Sequence, residues 1–410
     1  MTKKLFTQII NEWKNNLWLL AELLVVSVVL WYVIDNLYCN ISILSEPLGF
    51  DIEHCYKIEI NEIDKNSTDY QEKTEAEKEK EYEQIIERLR RMPETEAVCF
   101  SDWTAPYDLS ESYCTVSFDT LNEQLRNYYV SPDYMRVFRI RGIHGETPEE
   151  MSRIMERGEI VLSGNIFGDK GVDISTLIQK EGFYLYGNKN QTVNLGAVAQ
   201  TVRHHDYVQG KYCKSIFLPY RTYDTSATIY LRVKAYKDRN FVENLLKNAE
   251  KEINTGNLYL SNVCSMKDMK RVYLQEYRKN NVMYLTGMGF LLLNIFLGLL
   301  GTFWFRTQQR QSEIALHKVH GATHKDVFLR LICEGGCLIA LVTLPALLID
   351  FQIAGAELNA VYNGTTFHIG RIILCAVLSA LSIGLMMVIG ISIPARKVLD
   401  IEPAQVLRGE

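Results

Sequence analysis

Residues 283–305 read MYLTGMGFLLLNIFLGLLGTFWF, 23 consecutive positions without a charged side chain. At about 1.5 Å of rise per residue, one helix of this length crosses a hydrocarbon layer of about 30 Å. Three other stretches share the property. Ile372–Ile393 has 22 residues and no charge, Leu331–Ile349 contains only Glu334, and Leu17–Tyr38 contains only Glu22 and Asp35. One such run fits a buried helix of a soluble protein. Four in a chain of 410 residues predict a membrane protein with four spans.

The first run follows Lys3, Lys4 and Lys14, as a secretory signal would, but its apolar part is too long and no small-x-small cleavage site follows it. Tyr38 before Cys39 also spoils a lipoprotein-type processing site, so the run reads as an uncleaved anchor. Lys and Arg in short loops mark the cytoplasmic side. They occupy the amino terminus, the stretch between the second and third spans (Arg306, Arg310, Lys318, Lys325, Arg330) and the tail (Arg396, Lys397, Arg408), whereas Gln352–Gly370 has none. The expectation is a multi-pass protein of the cytoplasmic (inner) membrane, with both termini inside and the large domain between the first two spans outside. Glu22 and Glu334 then lie at similar depth, a turn or so in from the cytoplasmic face. A carboxylate at mid-membrane would cost a few kcal/mol, so pairing with Lys14 or Arg330, or a place near the interface, is expected ahead of a proton relay.

A net charge of -5 offers no global basic surface and argues against a nucleic-acid partner. None of the nine cysteines sits in a CxxC pair, which disfavours a zinc ribbon or a thioredoxin-like redox site. Six fall in the central domain, where disulfides in an oxidising compartment and small buried thiols are both open readings.

Between the first two spans the chain turns charged and tyrosine-rich and reads as a mixed α/β domain. His54–Glu62 alternates as a strand. Glu72–Arg91 is a charged helix with Tyr82, Ile85, Ile86 and Leu89 apolar, stopped by Pro93, and Phe241–Ile253 is a second amphipathic helix. Ala97–Phe100, Cys114–Phe118, Glu159–Leu162, Gln191–Gln200 and Ala227–Val233 are short β-like pieces, and Ser265–Tyr277 reads as a helix running straight into the second span. No GxSxG, HExxH or GxxxxGK(S/T) occurs, and the glycines of Gly164–Gly171 fit neither a P-loop nor a dinucleotide fingerprint. His204, His205 and Asp206 are adjacent, and neighbours on a strand face opposite ways, so a metal site there would need a ligand from elsewhere. The domain reads as a binding or lever module.

The stretch between the second and third spans carries the most specific signal. Gln308–His320 reads as a short helix with Ile314, Leu316 and Val319 apolar. Gly321 supplies a left-handed stop, and Thr323 caps a new helix with Asp326 three positions on. The product is a rigid elbow suited to docking or to transmitting force.

These residues resemble the permease family that includes the FtsX proteins, the macrolide exporter MacB and the Lol permeases. The family pattern appears here as Arg310, Glu313-Ile314, Lys318, Gly321-Ala322-Thr323 and, in the following span, Glu334. Val319-His320 departs from the usual Ala-Leu before the glycine. The tail Pro394-Ala395-Arg396-Lys397, then Ile401-Glu402-Pro403-Ala404 and Leu407-Arg408, is similar to the family's. So are four pieces of the outer domain: Glu159-Ile160-Val161-Leu162-Ser163, Phe167-Gly168-Asp169, Leu195-Gly196-Ala197-Val198 and Ile216-Phe217-Leu218-Pro219.

The resemblance implies a four-helix permease carrying an extracytoplasmic α/β domain of MacB type, with a β-rich insertion about 105–220. The expected layout is a cytoplasmic amino terminus 1–16, spans 17–38, 281–305, 328–351 and 371–393, an outer domain 39–280, a coupling loop 306–327, a short outer loop 352–370 and a tail 394–410. It implies no catalytic or metal residue in this chain. The partners are a separate ABC-type ATPase that carries ATP and Mg, a second permease copy or a paralogue, membrane lipid and, for export, a periplasmic adaptor. Arg310, Glu313, Ile314, Lys318, Gly321, Ala322 and Thr323 are the implied ATPase-coupling residues. The implied function is efflux or substrate release by mechanotransmission. The alternatives are an FtsX-like activator of a cell-envelope enzyme and a membrane sensor.

Overall fold

The computed structural model describes residues 13–102, 104–108, 110–220, 227–309, 316 and 319–400; at 13–16, 303, 306–307, 324 and 393–400 it describes the backbone alone. Arg310, Glu313, Ile314 and Lys318, most of the helix read over Gln308–His320, and the tail beyond Asp400 lie outside the described residues. Two compact units form, 43–278 and the union of 1–42 with 279–410.

The second of these units holds four long helices: α1 (Trp13–Ser45), α7 (Gln275–Gln309), α8 (His324–Gly355) and α9 (Ile369–Asp400). Each contains a stretch long and apolar enough to cross a membrane, at Leu17–Ser45, Gln275–Thr302, Lys325–Gly355 and Ile369–Ser392. They pack through Leu19, Leu23 and Leu30 of α1, Leu299 of α7, Val327, Leu338 and Val342 of α8, and Ile383, Met387 and Ile391 of α9. α8 and α9 approach closely at Gly335, where a Cβ would collide with the Met387 thioether.

Unit 43–278 is a sheet-rich α/β domain. Its strands are β1 (Cys55–Glu62), β2 (Thr95–Ser101), β3 (Tyr113–Phe118), β4 (Leu121–Val130), β5 (Ile160–Ser163), β6 (Phe183–Leu185), β7 (Asn188–Val193), β8 (Leu195–Ala199), β9 (Ser215–Pro219), β10 (Thr228–Val233) and β11 (Leu258–Ser265). Its helices are α2 (Glu75–Arg91), α3 (Tyr134–Val137), α4 (Pro148–Glu156), α5 (Phe241–Glu252) and α6 (Met266–Tyr273).

A base layer runs in the order β11-β1-β10-β2, antiparallel throughout. Helix α2 starts where the Thr74 hydroxyl and the Glu77 carboxylate cap each other's backbone amides, and it carries Arg88, Arg90 and Arg91 in its last turn. It buries Tyr82, Ile85, Ile86 and Leu89, and α5 buries Phe241, Leu245 and Ala249; both cover one face of the base layer with Ile58, Val98, Ile229 and Leu231. The other face (Cys55, Ala97, Cys99, Tyr230) packs on Tyr134 and Val137 of α3, Met151 and Met155 of α4, and Met266 of α6.

β3 to β9 all lie between β2 and β10 in sequence. They join the base layer through β4, whose Val130 pairs with Ser101 of β2. β4 then pairs antiparallel with β3 and parallel with β9, and β9 leads to β5 and β8. A separate core of Val116, Leu125, Leu162, Phe167, Phe183 and Ile216 fills this part.

Two sequence expectations are corrected. Gln191–Gln200 is two strands, β7 and β8, parted at Asn194. The helix read over Ser265–Tyr277 breaks at Leu274, which lies between α6 and α7 with φ -85° and ψ 0°. All nine cysteines are free; Cys55, Cys99, Cys114 and Cys213 are buried, and Cys264 is half-buried. Burial pushes the Cys55 thiol up to about 12 and that of Cys114 to about 11.

Candidate functional site

Three arrangements of polar groups stand out. At the elbow, Gly321 has φ +88°, with nothing within 4 Å of the position a Cβ would take. The His320 amide donates to the Leu316 carbonyl (3.2 Å), which closes a helical turn just before the glycine. Thr323 opens α8 with a full capping box. Its amide and hydroxyl donate to Asp326 Oδ2 (3.0 and 2.6 Å), and the Asp326 amide donates back to the Thr323 hydroxyl (3.3 Å). Ala322 packs on the four-helix core, whereas Leu316 and Val319 are exposed. A rigid turn with apolar side chains beside it is suited to insertion into a groove.

Within the four-helix unit, Glu22 accepts hydrogen bonds from the Thr302 hydroxyl (3.0 and 3.2 Å). A neutral donor, not considered from the sequence, thus serves one of the two acids, and Glu334 is buried. The most deeply buried ion pair among the described residues of this unit was not anticipated. Arg371 Nε lies 2.9 Å from Asp35 Oδ1, with the two side chains 3% and 0% exposed. Asn359 donates to Asp35 Oδ2 (3.0 Å) and to the Thr366 carbonyl, and Arg371 donates to the Ala360 and Thr366 carbonyls and to Cys39 Sγ. The Trp31 indole donates to the Ile372 carbonyl (3.2 Å). One guanidinium therefore ties α1, the start of α9 and the 356–368 segment together.

In unit 43–278 the loop 201–213 fastens both chain segments that lead to spans. Arg203, 1% exposed, donates to the carbonyls of Val208 (2.8 Å), Glu46 (2.6 Å) and Asp206 (2.6 Å). Its own amide donates to the Leu48 carbonyl, and the Gly210 amide donates to Glu46 Oε2 (2.8 Å). Gly49, at φ +78°, lies so close to the Thr201 carbonyl that a Cβ would collide with it. On the other side, Lys270 of α6 donates to Asp206 Oδ1 (2.6 Å) and sits over the Tyr107 ring, whose hydroxyl donates to Asp206 Oδ2 (2.9 Å). Burial alone would raise Asp206, but the bonds from Lys270 and Tyr107 outweigh it and hold the carboxyl below the usual range. His205 and Tyr207 pack on Tyr277, and Tyr273 on Tyr107.

His204, His205 and Asp206, for which a metal site would need a further ligand from elsewhere, lie in a loop, and Asp206 is engaged by Lys270 and Tyr107. Burial, helped by Arg126, pushes His204 down to about 3. The signal for this cluster was present in the run Arg203–Tyr207, but its partners lie some 60 residues on in α6 and at Glu46, beyond the reach of local pattern.

Residues 285–403 match the model of the FtsX-like permease C-terminal family. Two structural neighbours are the extracellular domain of the noncanonic ABC-type transporter YknZ from Gram-positive bacteria and the periplasmic region of MacB from Actinobacillus actinomycetemcomitans. The first is 13% identical and covers 50% of this chain and 100% of its own, with a TM-score of 0.30. The second is 9% identical and covers 56% of this chain and 97% of its own, also with a TM-score of 0.30. No curated protein matches the chain.

Proposed function

We propose, from the FtsX-like permease match over residues 285–403, that this chain is the membrane subunit of an ABC-type transporter whose ATPase is a separate polypeptide. The same reading places it in the inner membrane with both termini cytoplasmic, unit 43–278 outside, and a second copy or a paralogue beside it. The elbow at Gly321–Thr323 is the docking point for the ATPase. Its left-handed glycine and closed capping box would hand a push to α8 without absorbing it in a frayed first turn. Arg310, Glu313, Ile314 and Lys318 complete the docking surface in this reading.

Loop 201–213 then acts as the receiver. It grips the chain on leaving α1, at Glu46–Gly49, and again before α7, at Lys270, so movement of either span would reach the domain through one element. Export or release of a substrate by the outer domain follows from this transmission, and no substrate need pass between the four helices.

The test is purification of the full chain with mass spectrometry of whatever remains bound, then cross-linking from residues 313–323. Recovery of a stoichiometric ABC-type ATPase, with ATP and Mg on that partner, is expected. A bound cell-wall hydrolase would favour control of an envelope enzyme, and a bound adaptor would favour export. Recovery of the chain alone after cross-linking would remove the permease assignment.

A further inference from the structure

The end of the four-helix unit that carries residues 356–368 holds a second buried acid. Asp350, on α8, is 1% exposed, and its Oδ1 has no hydrogen-bond partner among the described residues. It shares a helix face with Ala346 and Ala354, 1% and 0% exposed. One turn on, Ala354 packs with Trp31, Ile372 and Cys375, and Leu347, Phe351 and Ile353 of α8 border the same apolar cluster.

Among the described residues, the charged and titratable groups at this end are Asp35, Tyr38 and Cys39 from α1, Arg371 and Cys375 from α9 and Tyr362 of the connecting segment, whose Glu357 and His368 are exposed. Arg371 is the only cation among them, and Asp35 already engages it at 2.9 Å. That guanidinium serves Asp35, and Asp350 has no cation of its own among the described residues. An ionised carboxylate with neither counter-charge nor hydrogen bonds is strongly disfavoured in an apolar medium, and far less so once neutral. A metal ion is a poor alternative occupant, because hard cations need several oxygens and this helix face offers alanines.

We propose that Asp350 is a proton-binding site: the carboxyl holds a proton while α8 and α9 are packed at this end, and releases it to water when they part. The O–H bond breaks, its electron pair stays on the carboxylate and the proton goes to solvent; packing reverses the step. Closure of this end therefore takes up one proton and weakens as the pH rises. The inference does not depend on the ATPase partnership.

The full chain in detergent, treated with dicyclohexylcarbodiimide, tests it. The reagent takes a carboxylic acid from apolar surroundings: the acid proton moves to a carbodiimide nitrogen, the carboxyl oxygen bonds to the central carbon, and rearrangement leaves a stable N-acylurea. At about pH 7 the Asp350 peptide is expected to label at least about tenfold more than that of Glu357, an exposed carboxyl that serves as the internal reference. Asp350→Asn abolishes the adduct. Labelling no greater than at Glu357 overturns the proposal. Protection by sodium but not by choline at fixed pH also overturns it, because the occupant is then a metal cation. A second measurement compares melting temperatures of wild type and Asp350→Asn from about pH 6 to about pH 9. Wild type is expected to lose ground as the pH rises, and parallel curves overturn the coupling.

Discussion

Replacing Arg203 by Ala should free loop 201–213 while leaving the rest of unit 43–278 folded. The guanidinium is 1% exposed and donates to three backbone carbonyls at 2.6–2.8 Å, with Glu46 Oε2 at 3.9 Å. Bonds from a charged donor are worth about 1.5–3 kcal/mol each, but three on one group do not add. Leaving a buried carbonyl without its donor costs about 1–3 kcal/mol. Part returns when the loop lifts and water reaches the orphaned carbonyls, so about 3 kcal/mol of local stability should be lost. At about 1.4 kcal/mol per factor of ten, the open population rises about a hundredfold.

Cys213 reports this opening directly. It is fully buried at the end of the loop, and its thiol donates to the Gln209 carbonyl. Burial keeps the thiol above its ordinary range, so it should be inert to a maleimide until the loop lifts. Peptide-resolved labelling separates it from the other cysteines. The expected result is about a hundredfold faster modification of Cys213, unchanged Cys99, and an intermediate rate for Arg203→Lys, whose ammonium cannot fork to three carbonyls. A Cys213 rate within about threefold of wild type would refute the idea that Arg203 fastens the loop.

Other outcomes follow from the same geometry. Arg371→Met leaves Asp35 buried and uncompensated and should lower stability by about 3–5 kcal/mol, most of it recovered in the Asp35→Asn, Arg371→Met double variant; additive losses in melting experiments would contradict the pairing. Thr323→Ala removes the capping hydroxyl and should weaken the first turn of α8 by about 1 kcal/mol, seen as faster hydrogen exchange at amides 324–327. Gly321→Val introduces a β-branched residue at φ +88° where no clash arises, so backbone strain alone, about 1–3 kcal/mol, should distort the elbow; insertion should persist while coupled ATPase activity falls. His204 is held at about 3 against an ordinary 6.5, so unfolded chains bind a proton in that interval that the folded domain refuses. Stability of loop 201–213 is therefore full above about 6.5 and falls as the pH drops towards 3, which hydrogen exchange corrected for intrinsic rates should show, with the slope reduced in His204→Gln.

The spans were legible because lipid demands length without charge, and both can be counted along the sequence. Thr323 and Gly321 were legible because caps and left-handed turns are local. β4 was not, since its Asn122, Glu123, Gln124, Arg126 and Asn127 break any apolar alternation; Arg126 and Asn127 are nonetheless buried, with Arg126 paired to Glu111 and Asn127 bonded to Ser112. The Asp35–Arg371 pair escaped for a related reason. Arg371 stands one residue past the Gln352–Gly370 stretch that is empty of Lys and Arg, so it reads as a flank of the fourth span, while its partner lies 336 positions away. Asp350 fell at the border of two readings, the third span and the loop after it.

The place where β3 to β9 are spliced into the domain has an evolutionary consequence. Ser101 at the end of β2 is the cross-strand partner of Thr228 at the start of β10. Everything between them could therefore be cut out and the ends rejoined by a two-residue hairpin without shifting a single pairing of the base layer. The size of this domain is a cassette choice made at one turn. A lineage that discarded the cassette would bare Cys55, Ala97, Cys99 and Tyr230 to water, and would have to rewrite that face in polar residues or find another surface to lay across it.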